Sequence, residues 1–473
     1  MSQETSRIVV KSRRTSGNQA QGQALRTRAN GFALWVTMFV AALSPLPLGS
    51  ARPLAWSFWA VYVGAMALIY VIVMQRSQQP YRVDLASLKF PAALFGALLA
   101  YLVFTILPIG SLFGGFQIVG RYGFVGSSNT LSIDPSATVL MLLRQCTYGA
   151  LFFLALQVAA HPARREIAVK ILLWTCLAYG FLGIVALYTG DWILGLKKWA
   201  YLGSATGPFV NRNSYATYLA FGSVIATAKL ARHVADRFER HYDDGPIQNS
   251  ITSILLYSMA LLFLLAVIVA TQSRMGFAAA LVGIFVVIVT TAARTAKAGT
   301  FIIGSLVVGI VLAVSALSLF GEALFDRFGA VEESSIVRTD LYAQVIDLIR
   351  LRPWTGFGGG SFELAFPLVH QLPVNLDFLW DKAHNTYLTL WSELGLVAGS
   401  IPLAIIAILV WRTAFVSRVG ATDSRFRSMS LGAVAVAAVH SLADFSLEIQ
   451  ANAILFVIVL ALGLPVASEK SKS

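Results

Sequence analysis

Ala383-His384-Asn385-Thr386-Tyr387 closes the one polar interval longer than 40 residues after the N-terminal tail, and an apolar block follows at once. A neutral imidazole, with a pKa of about 6.5, can accept a proton from a hydroxyl at physiological pH. His384 is therefore a candidate base; a histidine at a span boundary also serves as an interfacial hydrogen-bonder, and Asn385 and Glu393 fit either role. Two arginines offer complementary chemistry. Arg212 lies in Gly207-Pro208-Phe209-Val210-Asn211-Arg212-Asn213 and Arg274 in Thr271-Gln272-Ser273-Arg274-Met275-Gly276, each next to the start of an apolar block. A guanidinium is a planar fork of donors matched to phosphate oxygens. An arginine at a helix end also reaches for lipid headgroups with no further purpose; two in near-absent loops, facing a domain that ends in histidine, keep an anion site open beside that reading. Arg338 is the third candidate. His440 and Asp444, in Val439-His440-Ser441-Leu442-Ala443-Asp444-Phe445, form a further polar pair. Four residues apart, they would share a helix face, with Asp444 accepting a hydrogen bond from His440.

Other motifs exclude more than they assign. Gly356-Phe357-Gly358-Gly359-Gly360-Ser361 lacks the Lys-Ser/Thr of a phosphate-binding loop and reads as a flexible turn. The six histidines are scattered and no Cys-x-x-Cys or His-Glu-x-x-His occurs, so no metal is expected. Cys146 and Cys176 fall toward opposite ends of consecutive apolar blocks and are not expected to pair.

The elements that must position these residues are membrane helices. Of 473 residues, 57% are hydrophobic and 12% charged, against about 25% charged in an average soluble domain. About 20 apolar residues cross the hydrocarbon core as a helix. The expected fold is all-α and integral to the membrane: a bundle of about twelve transmembrane helices with a large periplasmic loop between spans 9 and 10. The blocks lie near 32–49, 54–74, 91–108, 138–159, 168–189, 213–230, 251–271, 275–293, 301–320, 385–411, 429–447 and 451–466. The organisation is then a disordered basic cytoplasmic tail over 1–30, spans 1–9 over 31–320, the loop domain over 321–384, spans 10–12 over 385–466, and a cytoplasmic tail over 467–473. Alternating sides place 24 of the 36 Lys and Arg with the N-terminus, so the positive-inside rule puts both termini in the cytoplasm and the large loop outside. The net charge of +13 follows from this orientation rather than from nucleic-acid binding. Within the loop, Val337, Leu341, Val345, Leu348 and Ile349 recur at helical spacing and predict an amphipathic helix over Ile336–Arg352 lying along the membrane interface.

Taken in order, Gly207–Asn213, Ser273-Arg274-Met275-Gly276, Arg338 followed by Pro353-x-x-Gly356-x-Gly358, and His384-Asn385-x-x-Leu388 with Glu393-x-Gly395 resemble the O-antigen ligase and polymerase superfamily. The similarity covers roughly residues 200–400, and His440-Ser441-x-x-Asp444-Phe445 is similar to a pattern in polysaccharide-biosynthesis members. Met275 departs from the small residue usual there. The resemblance implies a bacterial inner-membrane glycosyltransferase that takes a glycan from undecaprenyl diphosphate and passes it to an acceptor hydroxyl, on lipid A–core or on another lipid-linked glycan. It implies no metal or other cofactor, a diphosphate held by Arg212, Arg274 and Arg338, a catalytic His384, and acceptor-site support from His440, Asp444 and Asn385. The alternative reading is a membrane transporter of bicarbonate or of a lipid-linked sugar, which would gather its polar residues near the midplane on broken helices.

Overall fold

The computed structural model describes residues 2–46, 48–83, 85–239, 247–293, 331–415 and 424–464. The expected span 301–320, the start of the large loop over 321–330 and the tail 467–473 lie outside the described residues. In order, the helices are α1 (Ser2–Leu43), α2 (Pro53–Ser77), α3 (Lys89–Thr105), α4 (Pro135–Ala159), α5 (Pro162–Tyr188), α6 (Arg212–Glu239), α7 (Ile247–Ala270), α8 (Arg274–Ala292), α9 (Val331–Leu351), the short α10 (Phe362–Ala365), α11 (Thr386–Phe415), α12 (Ser424–His440) and α13 (Gln450–Gly463). Among the described residues, α2, α4, α5, α7, α8 and α11 are long and apolar enough to cross a membrane, and α3 and α13 are shorter apolar helices. This is a mostly helical, multi-pass membrane protein. The helices α1, α6 and α12 stand where three further spans are expected, and each carries buried polar side chains: Asn30 in α1, Lys229 in α6, Ser428 and Ser430 in α12.

The structure corrects the sequence reading in several places. The chain is helical from Ser2 onward rather than irregular over 1–30; the stretch holds no proline and few glycines, and Gly22 is a point of close approach, where an added β-carbon would lie 2.5 Å from the Ser77 carbonyl oxygen. The fold is not purely helical. Strands β1 (Phe116–Gly120) and β2 (Gly123–Ser128) pair antiparallel, as do β3 (Trp192–Ile193) and β4 (Leu196–Lys197). Leu194 and Gly195, both at positive φ, form the kind of two-residue turn whose twist matches paired strands. Helix α9 begins a turn earlier than expected. Its apolar face does not lie on lipid: Leu341, Val345 and Leu348 are buried in a small core with Phe357, Phe362 and Phe366, so the loop is a packed lobe. Arg121 ties the β1–β2 hairpin to this lobe through Asp347 at 3.4 Å, while its backbone N–H donates to the Leu368 carbonyl at 2.9 Å. The glycine run is an ordered clasp rather than a flexible turn. Phe357 and Gly358 donate backbone hydrogen bonds to the Ser392 and Glu393 carbonyls at 3.1 and 2.8 Å, and Gly358, at φ +108°, leaves no room for a β-carbon beside Ser132. Opposite it α11 breaks at Gly395, at φ 76° and ψ 168°.

Helices α6, α8 and α12 pack on small residues, the way apolar helices approach closely without a hydrophobic driving force between them. A β-carbon on Gly276 would meet that of Ala216 at 2.5 Å, and one on Gly432 would lie 2.6 Å from Val287 Cγ2 and 2.9 Å from the Gly283 carbonyl oxygen. These contacts run α6 parallel to α8 and α12 antiparallel to both, so the starts of α6 and α8 and the end of α12 meet at one end of the bundle. Gly432→Leu should therefore destabilise the protein by about 1–3 kcal/mol through overpacking, read as a lower thermal midpoint in detergent; unchanged melting would show that these helices do not touch.

Candidate active site

Each arginine-bearing helix begins with a cap. Asn211 Oδ1 accepts from the backbone N–H of Asn213 at 2.7 Å and of Ser214 at 3.3 Å, fixing the start of α6 and hence Arg212. Ser273 Oγ accepts from Gly276 N at 3.2 Å and does the same for α8 and Arg274. The Arg212 guanidinium lies 5.2 Å from the Tyr201 ring centroid. Tyr201 is presented by a loop that Asp191 clasps through Lys198 at 2.6 Å and Gly203 N at 2.8 Å. With Gly276 seated on Ala216, two helix N-termini, each headed by an arginine, lie side by side. The positive ends of two helix dipoles reinforce the guanidinium charges, and the combination suits an anion.

His384 stands just ahead of α11 in the left-handed region, at φ 52°, a backbone state uncommon outside glycine and seen more with Asn, Asp and His. Its surroundings hold it there. Tyr342 of α9 places its hydroxyl 2.8 Å from the His384 carbonyl and 3.3 Å from that of Leu442. Asn385 caps α11 by accepting from Tyr387 N at 3.0 Å and Leu388 N at 3.1 Å, and its Nδ2 donates to Leu442 O at 3.0 Å. Asn385 is thereby a positioning residue. Trp380 and Phe445 present ring contacts to the imidazole at 6.1 and 5.0 Å.

The structure joins the histidine to the second polar pair, which the sequence reading left separate. Asp444, 1% exposed, sits between two imidazoles: its carboxylate is 3.9 Å from His384 Nδ1 and 3.8 Å from His440 Nδ1. The helical pairing expected for His440 and Asp444 is corrected. Helix α12 ends at His440 and the chain turns through Ser441–Ala443, so Asp444 is no longer on that helix. His440 Nδ1 instead lies 3.0 Å from Thr217 Oγ1, little more than a turn beyond Arg212, and Ser446 Oγ donates to Asp444. Asn452 Nδ2 donates to Ser214 O and Ser446 O, both at 2.9 Å, closing the strap against α6. His440 Nε2, Asp444 Oδ1 and the Gln450 side-chain amide are buried without a hydrogen-bond partner among the described residues. Polar groups in this state belong beside ordered water or a polar substrate group.

Sequence reasoning missed three charges here. Arg144, inside the apolar run of α4, donates to the Glu448 carbonyl, and Lys382 Nζ lies 3.2 Å from Glu448 Oε2. The signal for Arg144 was present, because an ionisable residue inside a span is a functional candidate by default. Glu393 is buried and accepts from Phe362 N at 3.4 Å, beside the glycine clasp.

Burial pushes the His384 imidazole below its ordinary pKa; the Asp444 carboxylate pulls against this, Arg338 adds to the depression, and Glu448 and Asp381 oppose it. Burial also raises the Tyr342 phenol, with Arg338 lowering it and Asp444 raising it. Arg338 and Asp444 thus act on the same two groups with opposite sign.

The architecture is that of a multi-pass membrane protein, and it brings His384, Asp444 and two arginine-headed helix starts to one end of the bundle. Residues 259–403 match the family model described as O-antigen ligase, and the match supports the chain's place in the O-antigen ligase superfamily, as a ligase- or polymerase-type membrane enzyme. No curated protein matches the chain. The matched segment carries Arg274, Arg338, His384 and Asn385; the fold brings Arg212, His440 and Asp444 to it from outside.

Carbon-detected histidine NMR across pH tests the electrostatics directly. The His384 midpoint should lie below the ordinary histidine value, rise in Arg338→Gln, which removes a repelling cation, and fall in Asp444→Asn, which removes the attracting carboxylate. Shifts of like sign in the two variants would refute the arrangement.

Proposed function

We propose that the chain is a metal-independent glycosyltransferase of the bacterial inner membrane, transferring a glycan from undecaprenyl diphosphate to an acceptor hydroxyl in surface-polysaccharide biosynthesis. The carrying observation is that a histidine beside a buried carboxylate shares one end of the bundle with two arginine-headed helix starts. His384 Nδ1 faces Asp444, which leaves Nε2 on the far side of the ring for the acceptor hydroxyl. As that oxygen attacks the anomeric carbon, its proton passes to Nε2 and the bond from carbon to the diphosphate breaks. Asp444 stabilises the imidazolium that forms, as a carboxylate does beside other catalytic imidazoles. Arg212 and Arg274 stabilise the charge growing on the leaving diphosphate, and Arg338 extends the cationic side. Arginines then take the part of a divalent cation. The charge bias supports a periplasmic loop lobe and cytoplasmic termini.

His384→Ala should lower the transfer rate about 10²–10⁴-fold, the usual worth of a positioned general base, at normal protein level. Arg212→Lys or Arg274→Lys keeps the charge but loses the fork, so activity should also fall, while chelators leave the wild-type rate unchanged. Full activity in all three variants would end this reading. Deletion followed by surface-glycan electrophoresis separates the branches: single repeats on the core mark a polymerase, and bare core with glycan stranded on its carrier marks a ligase. Intact glycans with lost solute uptake would point to a transporter.

Orientation has its own test. A single cysteine placed near Asp377 should react with a membrane-impermeant thiol reagent in cells with a permeabilised outer membrane, and one near Arg237 only after lysis.

A further inference from the structure

Away from the candidate active site, three arginines from separate elements gather around one buried tyrosine. Tyr70 of α2 is wholly buried, and Arg26 of α1, Arg82 between α2 and α3, and Arg164 of α5 all act electrostatically on its hydroxyl. Arg82 also acts on Arg164, and both act on His161. Hydrogen bonds hold each piece in place. Tyr70 Oη donates to Asn30 Oδ1 at 3.3 Å, and Asn30 Nδ2 donates to the Arg26 carbonyl at 2.7 Å. Gln157 of α4 pins the segment that carries Arg82, pairing with both backbone groups of Val83 at 3.1 Å. Arg164 Nη2 donates to the Thr27 carbonyl at 3.1 Å, which sets it beside Arg26. The length of α5 separates this cluster from the active end. Arg164 is in its first turn, and Tyr188 at its last, about 36 Å away at 1.5 Å per residue, leads into the loop that presents Tyr201 to Arg212.

Like charges held together repel, so the cluster is favoured by an anion. Glu166, two residues beyond Arg164, is engaged elsewhere: it meets Lys229, Arg425 at 3.2 Å and Lys170 at 3.9 Å. Asp84 follows Arg82 in the sequence, and one carboxylate against three guanidiniums still leaves positive charge in excess. Arg164 Nη1 is buried with no hydrogen-bond partner among the described residues. A guanidinium with a donor to spare suits a phosphate oxygen.

The rest of α5 narrows the source of that phosphate. Ile167, Trp174 and Phe181 are all exposed and recur every seven residues, so they line one face of the helix, with Arg164 one turn before them on the same face. From Ile167 to Trp174 the track runs about 10 Å, inside the half of the ~30 Å hydrocarbon core that one leaflet supplies. A free phosphate would use the guanidiniums alone. A glycerophospholipid uses the charge and the apolar track together, as headgroups do in basic pockets between membrane helices.

We propose that Arg164, with Arg26 and Arg82, binds the phosphate of an anionic glycerophospholipid in the leaflet opposite the candidate active site, its acyl chain lying along Ile167 and Trp174. The site stands apart from the proposed transfer chemistry and does not depend on it.

The test titrates the full-length protein in detergent with phosphatidylglycerol, read by native mass spectrometry and by the thermal midpoint, with phosphatidylcholine as the zwitterionic control. One phosphatidylglycerol should be retained where phosphatidylcholine is not, and the midpoint should rise with its concentration. Arg164→Gln should weaken that binding roughly tenfold, the loss of one charge-assisted contact, and should melt like the wild type in phosphatidylcholine. Arg82→Gln serves if that variant fails to fold. Arg28→Gln, from an exposed position on the same stretch of α1, should leave binding unchanged; an equal loss there would reduce the effect to general charge attraction and overturn the proposal. Binding that survives both Arg164→Gln and Arg82→Gln would overturn it too. Inorganic phosphate that raises the midpoint as far as the lipid does would make this a free-anion site instead and end the lipid assignment.

Discussion

Inside a hydrocarbon slab no water stands ready to bind an exposed carbonyl, so any chain that leaves the helix at that depth must find its partners in protein. The strap between α12 and α13, at the end of the bundle, finds its donors in α4, α11, α13 and the lobe's Tyr342. Ser441 O accepts from Thr386 N at 3.0 Å, Leu442 O from Asn385 Nδ2 at 3.0 Å, Asp444 O from Thr386 Oγ1 at 3.2 Å, and Glu448 O from Arg144. Ser446 O takes Asn452 Nδ2 at 2.9 Å. Satisfying these groups draws α4, α6, α11 and the lobe toward one short segment, and the candidate site residues are brought together as a result.

The same segment decides the electrostatics. Asp444 is rigid because its backbone is held by α11 and its side chain by Ser446. It can then bias two imidazoles without moving. His440, buried, and His384, 29% exposed, share this one carboxylate, with Arg338 as a counterweight on the lobe side. The lobe contributes more than a cover: the apolar face of α9 fills the lobe's own core, and Tyr342, packed at the edge of that core, reaches the His384 carbonyl.

Much of this was legible in the residue order. Apolar runs located α2, α4, α5 and α8 to within several residues, because hydrocarbon thickness dictates a length that a sequence must spell out. His384, Arg212 and Arg274 could be singled out because charge near the membrane is rare enough to be informative. The rest was not legible, for physical reasons. The pairing of His440 with Thr217 depends on how α6 packs against α12, a contact set by glycines far from either residue. The hairpins rest on two- to six-residue strands too short for periodicity to register. The break at Gly395 lies within one expected span, 385–411, and hydropathy carries no sign of a backbone dihedral.

The left-handed backbone at His384 acts as a filter on what this position can hold. Residues other than glycine that enter that region without undue strain are few, chiefly Asn, Asp and His. Side chains whose ordinary pKa lets them act as a neutral base near pH 7 are fewer still, and histidine stands apart among them. One requirement is steric and concerns the main chain; the other is chemical and concerns the ring. Satisfied together, they leave a single amino acid, so the handedness of one peptide unit and the acidity of one proton select the same residue independently.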